Sequence, residues 1–158
     1  MADPCCQYTF AGVKVNDTTA NANRLMIGDD GEITGLDGRP IRAEIDPQGQ
    51  SDGGIVHPKL YGPRIITFSG EVHIQTTTPA DLTAYLTAMN TLEAAVISAL
   101  EGQLNTEANL TWTPTGGSGK TIACTYGIEG GEVQFSGAIF PGERKFTFTL
   151  VADNPVIS

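Results

Sequence analysis

With 158 residues, 40% of them apolar, the chain has the length and composition of one domain that buries its own core without metals or disulfides. Eighteen acidic side chains against nine basic ones give a formal charge of −9, which argues against a surface that wraps nucleic acid. The N-terminus has neither the basic nor the apolar region of a secretion signal, and no apolar run approaches the roughly 18–20 residues that span a bilayer, so a soluble protein with no membrane partner is expected.

The first strand is expected over Gln7–Val15, where Tyr8, Phe10, Val13 and Val15 supply the apolar positions. Cys5 and Cys6 just before it are adjacent, so a bridge between them would strain the peptide. A reduced chain is the plain expectation, with a Cys6–Cys124 bridge left open should the termini meet. Arg24–Ile27 and Glu32–Leu36 flank Gly28-Asp29-Asp30-Gly31, a turn signal that predicts a hairpin between them. Arg39–Ile45 reads as a further short strand. From Asp46 to Tyr61 the pattern breaks down into a Gly-rich polar stretch, expected to be a flexible contact arm.

Arg64–Gln75 is the strongest strand in the chain. Ile66, Phe68, Gly70, Val72 and Ile74 share one face, and mostly polar residues share the other. One long helix follows, over about 79–101. Thr78 is placed to cap it, Pro79 suits the first helical position, and Asp81 sets a negative charge against the positive end. Leu82, Leu86, Met89, Leu92, Val96 and Leu100 recur at helical spacing, and Gly102 stops the run. Such a helix would reach roughly 35 Å, and Tyr85, Ile97 and the alanines widen its apolar stripe enough to predict burial on more than one side. Strand patterns resume at Asn109–Thr113, Lys120–Tyr126, Glu132–Ile139 and Lys145–Val151, with turns at Gly127–Gly131 and Pro141-Gly142. The whole chain, 1–158, reads as a single mainly β domain.

No catalytic constellation emerges, and no enzyme is expected. Gly116-Gly117-Ser118-Gly119-Lys120-Thr121 looks like a phosphate loop, but Pro114 holds the place of its first glycine, and a strand-like run replaces the helix that would cradle phosphate. His57 and His73 lack ligand-spaced partners, and Asp29, Asp30 and Glu32 lack the spacing of a calcium loop, so no metal or other cofactor is expected. Cys124 reads as a buried thiol rather than a nucleophile. Trp112 and Tyr126 could stack on a sugar, although a lone Trp in a strand is more often core.

Taken in order, Tyr8-Thr9-Phe10-Ala11-Gly12-Val13, the segment Thr34–Arg42, the Gly-rich arm, Tyr61-Gly62-Pro63-Arg64, Phe146-Thr147-Phe148 and the close Ala152-Asp153-Asn154-Pro155 resemble the distal tail proteins of long-tailed bacteriophages. The likeness is strongest to minor tail proteins of phages infecting actinobacteria. It implies an antiparallel β-sandwich or barrel of the tail-tube type flanked by one helix, acting as a structural subunit. It also implies a homo-hexameric ring in the virion tail, assembled in the host cytoplasm, that joins the tail tube protein to the tail-tip hub of the baseplate. DNA would pass its axial channel without specific binding, which suits an acidic chain. Many family members carry a second C-terminal domain, sometimes a carbohydrate-binding one, and the chain stops at Ser158, so direct receptor binding is not expected.

The subunit-interface candidates are Arg39, Arg42, His57, Tyr61 and Arg64, on or beside the arm. Arginine suits such contacts because its fork of donors meets a carboxylate bidentately. Two other functions fit the sequence: a major tail tube protein, which would polymerise into filaments, and a monomeric ligand- or sugar-binding β-sandwich.

Overall fold

The computed structural model describes residues 5–43, 45–47, 54–56, 60–141 and 143–158. Its elements in chain order begin with the strands β1 (Tyr8–Phe10), β2 (Val13–Val15), β3 (Arg24–Met26), β4 (Glu32–Thr34), β5 (Ile41–Arg42), β6 (Ile45–Pro47), β7 (Gly54–Val56), β8 (Leu60–Tyr61) and β9 (Arg64–His73). The helix α1 (Leu82–Glu101) comes next, and then β10 (Ala108–Trp112), β11 (Lys120–Tyr126), β12 (Gln134–Ser136) and β13 (Lys145–Ala152).

The fold is organised by its two longest strands. β9 and β13 pair antiparallel from Arg64↔Ala152 to Glu71↔Lys145, and both alternate as the sequence predicts. Ile66, Phe68, Gly70 and Val72 turn inward from one, and Phe146, Phe148, Leu150 and Ala152 from the other. Phe68 and Phe148 stack with ring centroids 5.1 Å apart, at the middle of a core that also holds Tyr8, Leu25, Leu110 and Ile122. Pairings β13–β11–β10–β1–β2–β3–β9 then return to β13, closing a seven-stranded barrel whose β2–β3 pair alone is parallel. Closure hides the edges of seven strands and gives the apolar faces a common interior. β4 and β12 lie outside the ring, on the remaining lengths of β9 and β13.

Four local expectations change in the fold. Gln7–Val15 forms two strands, because Ala11 (φ 49°) and Gly12 (φ 85°) adopt the paired positive φ values of a tight hairpin turn. The predicted hairpin around Gly28–Gly31 does not form. β3 pairs with Glu71–His73 and β4 with Thr67–Ser69, so the turn is a jog between two strands that run along the same edge of β9. Gly70 makes room for the jog, since a Cβ there would collide with the Met26 carbonyl. The arm has described ladders at its root, Ile41↔Tyr61 and Arg42↔Leu60, and farther out, Ile45↔Val56 to Pro47↔Gly54. It is therefore a two-stranded ribbon where the sequence suggested patternless loop; the rest of it lies outside the described residues.

The fourth change concerns the helix. α1 starts at Leu82, three residues later than expected, with Asp81 rather than Thr78 as its cap: Asp81 Oδ1 accepts from the Ala84 N–H at 3.1 Å. Its twenty residues give about 30 Å. Val96 and Leu100 enter the barrel core and Leu92 and Ala99 pack against it, while Leu82, Thr83, Thr87 and Thr91 stay exposed. One face is thus buried, and the other remains in solvent. Arg144, just before β13, fixes the helix by a bidentate fork to Glu93, with Nε–Oε1 2.7 Å and Nη2–Oε2 3.0 Å.

Candidate assembly surface

The chemical motifs resolve into structure. All three cysteines are thiols. Burial pushes the Cys124 thiol up to about 12, with the Glu107 carboxylate adding to it, so at neutral pH it is protonated and no nucleophile. The Gly116–Gly119 loop turns back on itself, its Gly117 N–H donating to the Pro114 carbonyl, and leads straight into β11. Trp112 stacks on Tyr8 inside the barrel, and the buried Tyr126 hydroxyl accepts from the Val133 N–H at 2.8 Å. Neither ring presents a face for a sugar. Among the described residues no group of three or more His, Cys, Asp or Glu side chains is placed to hold a metal, and no helix is long and apolar enough to cross a membrane.

Of the five interface candidates, Arg64 is an internal tie. It is 2% exposed. Its guanidinium donates to the carbonyls of Gly35, of Asp37 at 2.9 Å and of Pro155 at 3.2–3.3 Å. Burial, and then the Arg39 charge, lower its pKa from the ordinary arginine value. The fork thereby joins the end of β4, the root of the arm and the C-terminal close at one point. Arg39, Arg42 and Tyr61 do come together at the surface. The Arg39 guanidinium lies 5.1 Å from the centroid of the Tyr61 ring. Beside them Ile41 and Leu60 are each 68% exposed and Tyr61 is 59% exposed. Ile41 and Tyr61 share one face of the ribbon, Arg42 and Leu60 the other, so both faces carry uncovered apolar area. An isolated two-stranded ribbon is marginal in water, and exposed apolar area of this kind is what an interaction surface offers. His57 lies outside the described residues.

A second feature has no single-residue signature. β4, β9, β13 and β12 form a continuous four-stranded antiparallel sheet, with Glu32, Ser69, Thr147 and Gln134 in one row across it. Its inner face is the phenylalanine-rich core. Its outer face carries Thr34, Thr67, Ser69, Thr147, Thr149, Gln134 and Ser136, with Thr67 and Thr149 hydroxyls 3.0 Å apart. The far edges of β4 and β12 pair with no other strand among the described residues. Each such edge is a row of donors and acceptors ready to template a further strand.

Charge on this face gathers at the Glu71 end. Glu71 meets His73 Nε2 at 3.1 Å and Lys145 Nζ at 3.1 Å, and Lys145 also reaches Asp30 at 3.5 Å. The His73 and Lys145 hydrogen bonds hold the Glu71 carboxyl below the ordinary carboxylate value. A folded-state pKa lowered in this way contributes stability that is present above the unfolded value and lost as pH falls through the folded one. The chain is therefore expected to lose stability below about pH 4.5 in part through Glu71. Urea titrations at pH 7 and pH 3.5 should show a smaller pH-dependent loss in Glu71→Gln than in the parent, by about 1 kcal/mol or less for so exposed a cluster.

The scan against protein-family models and the search of curated proteins found no match. Among solved structures the fold is similar to the crystal structure of the SPP1 Dit protein, described as a paradigm of the hub adsorption apparatus in phages that infect Gram-positive bacteria. The TM-score is 0.65 at 13% sequence identity, over 96% of this chain. The chain spans about half of that protein, 51% of its length. At that identity the likeness establishes the fold, which is the mainly β, helix-flanked barrel expected from the sequence.

Proposed function

We propose that this chain is a structural subunit of a ring at the distal end of a bacteriophage tail, joining the tail tube to the tail-tip hub. Copies associate edge to edge, the β12 edge of one subunit against the β4 edge of the next, so that the four-stranded sheets run around the ring. The hydroxyl-rich outer face then lines an axial channel. Six copies, the number implied by the resemblance, would place twenty-four strands at about 4.8 Å spacing around the channel, a circumference of roughly 115 Å. A lining of Thr, Ser and Gln with a slight acidic excess lets DNA pass without holding it, because it offers no basic track for phosphates. The ribbon covers its exposed Ile41, Leu60 and Tyr61 on another subunit or on a tail partner.

The single observation that carries this reading is the sheet β4–β9–β13–β12, with two edges that pair with no other strand among the described residues and a mostly polar outer face. A closed ring is the arrangement that satisfies both edges with copies of one chain. Negative-stain microscopy of the concentrated protein, alone and mixed with tail tube protein, tests it. Rings with an open centre support the proposal, and long filaments would reassign the chain to a major tail tube protein. Protein that stays monomeric in both samples would overturn the ring. Deleting Gln48–Gly54 from the arm is expected to leave a folded monomer with thermal unfolding close to the parent's but weaker assembly. Unchanged assembly would remove the outer arm from the contact.

A further inference from the structure

Across the barrel from β9, and away from β4 and β12, the strands β1, β10 and β11 carry a cleft of about 680 Å³. Its floor is a row of outward-facing threonines, Thr9, Thr111 and Thr121, set opposite one another by the β1–β10 and β10–β11 registers. Gln7 walls it on the β1 side and is fixed there. Its amide nitrogen donates to the Thr9 hydroxyl at 3.3 Å, and its amide oxygen accepts from the Thr18 N–H at 3.2 Å. Lys120 stands on the other side of β10, where the Gly116–Gly119 loop enters β11, directly across from Trp112. A smaller cavity of about 240 Å³ shares Trp112 and Lys120 with the cleft, and its other walls are the apolar Leu36, Pro114 and Ile157.

Two observations give the cleft its chemistry. Among the described residues no Asp or Glu side chain lines it, in a chain that has eighteen of them. The Lys120 ammonium has no ion pair among the described residues either. The second observation concerns Trp112, which is 5% exposed. Its indole N–H, like the buried Thr121 hydroxyl, has no hydrogen-bond partner. Buried polar groups are ordinarily paired, so two orphans in residues that line one cleft mark it as a place where a partner binds. An indole N–H and an ammonium only donate, so they fit an acceptor, and the charge makes that acceptor an anion. Threonine hydroxyls both donate and accept, which suits a ligand that carries hydroxyls of its own.

We propose that this cleft binds a small hydroxylated oxyanion, a hydroxy acid or a polyol phosphate. The oxyanion sits against Lys120, and the ligand hydroxyls lie along Thr9 and Thr111. The Trp112 N–H and the Thr121 hydroxyl lie just beneath the cleft surface, so a side-chain adjustment on binding brings them to the oxyanion. No phosphate-cradling helix is involved, since Lys120 opens a strand. The inference does not rest on the ring, because the assembly edges are on the opposite side of the barrel.

The chain's one tryptophan makes the test direct. In isotope-labelled protein its indole N–H gives a single nuclear magnetic resonance signal, followed as glycerol phosphate, tartrate or uncharged glycerol is added. A saturable shift with an anion, and none with glycerol at the same concentration, is expected. Response to only one of the two anions also supports the proposal and says whether the phosphate or the carboxylate is the source. Lys120→Met should weaken the anion's binding at least tenfold and Thr121→Val should weaken it as well, with circular dichroism showing that both variants fold. No saturable shift with either anion at about 10 mM would overturn the proposal. So would an equal response to glycerol, or a response unchanged in Lys120→Met.

Discussion

Arg64→Ala is expected to lower the stability of the domain by about 3 kcal/mol, read as the shift in urea midpoint at constant slope. The cost comes from both sides of the fork. Removing the guanidinium deletes a buried side chain and leaves the Gly35, Asp37 and Pro155 carbonyls short of a donor in a place closed to water. Arg64→Lys should lose less, about 1–2 kcal/mol, because one ammonium keeps the charge but cannot reproduce a planar fork that reaches three segments at once. The same substitution has an assembly readout. Asp37 lies two residues before Arg39, so loosening its carbonyl frees the root of the ribbon, and Arg64→Lys should weaken association while the monomer remains folded at 25 °C. A loss below 1 kcal/mol in Arg64→Ala would mean that water replaces the fork and that the tie is dispensable.

Phe148→Ala should be at least as damaging, about 3–5 kcal/mol. Its ring stacks on Phe68 at 5.1 Å and lies 6.0 Å from Phe146, in the strand that bonds to β9, β11 and β12. The cavity would open at the centre of the barrel, where three ladders converge and little can collapse to fill it. Phe140→Ala is the matched control. Phe140 is exposed, so its loss should move the urea midpoint by less than about 0.5 kcal/mol. Equal destabilisation by both would contradict the placement of either ring.

The candidate surface was half legible in the sequence, and the reason differs for each residue. Arg39, Arg42 and Tyr61 stand out because arginines beside a Gly-rich polar stretch are a local signal, and the structure leaves all three exposed. Arg64 carried the same local signal, yet its position is internal. What distinguishes it is the arrival of Gly35, Asp37 and Pro155, up to 91 residues away in the chain. The two open edges had no signature at all, since β4 and β12 are three residues long and look like any short strand.

The sequence by itself determined the elements whose cause is local: the period-two alternation of β9, β11 and β13, the 3.6-residue stripe of α1 with its stop at Gly102, the strand that replaces a phosphate helix after Gly119, and the acidic balance. Those features depend on side-chain spacing and backbone preference within a few residues. Only the tertiary structure decided which strands pair. It spent one long strand, β9, on β3, β4 and β13, converted a hairpin signal into a jog, and left β4 and β12 with edges unpaired among the described residues. Pairing is a competition among distant segments for the same row of backbone donors and acceptors, and its outcome is set by how the apolar faces close into one core rather than by any segment alone.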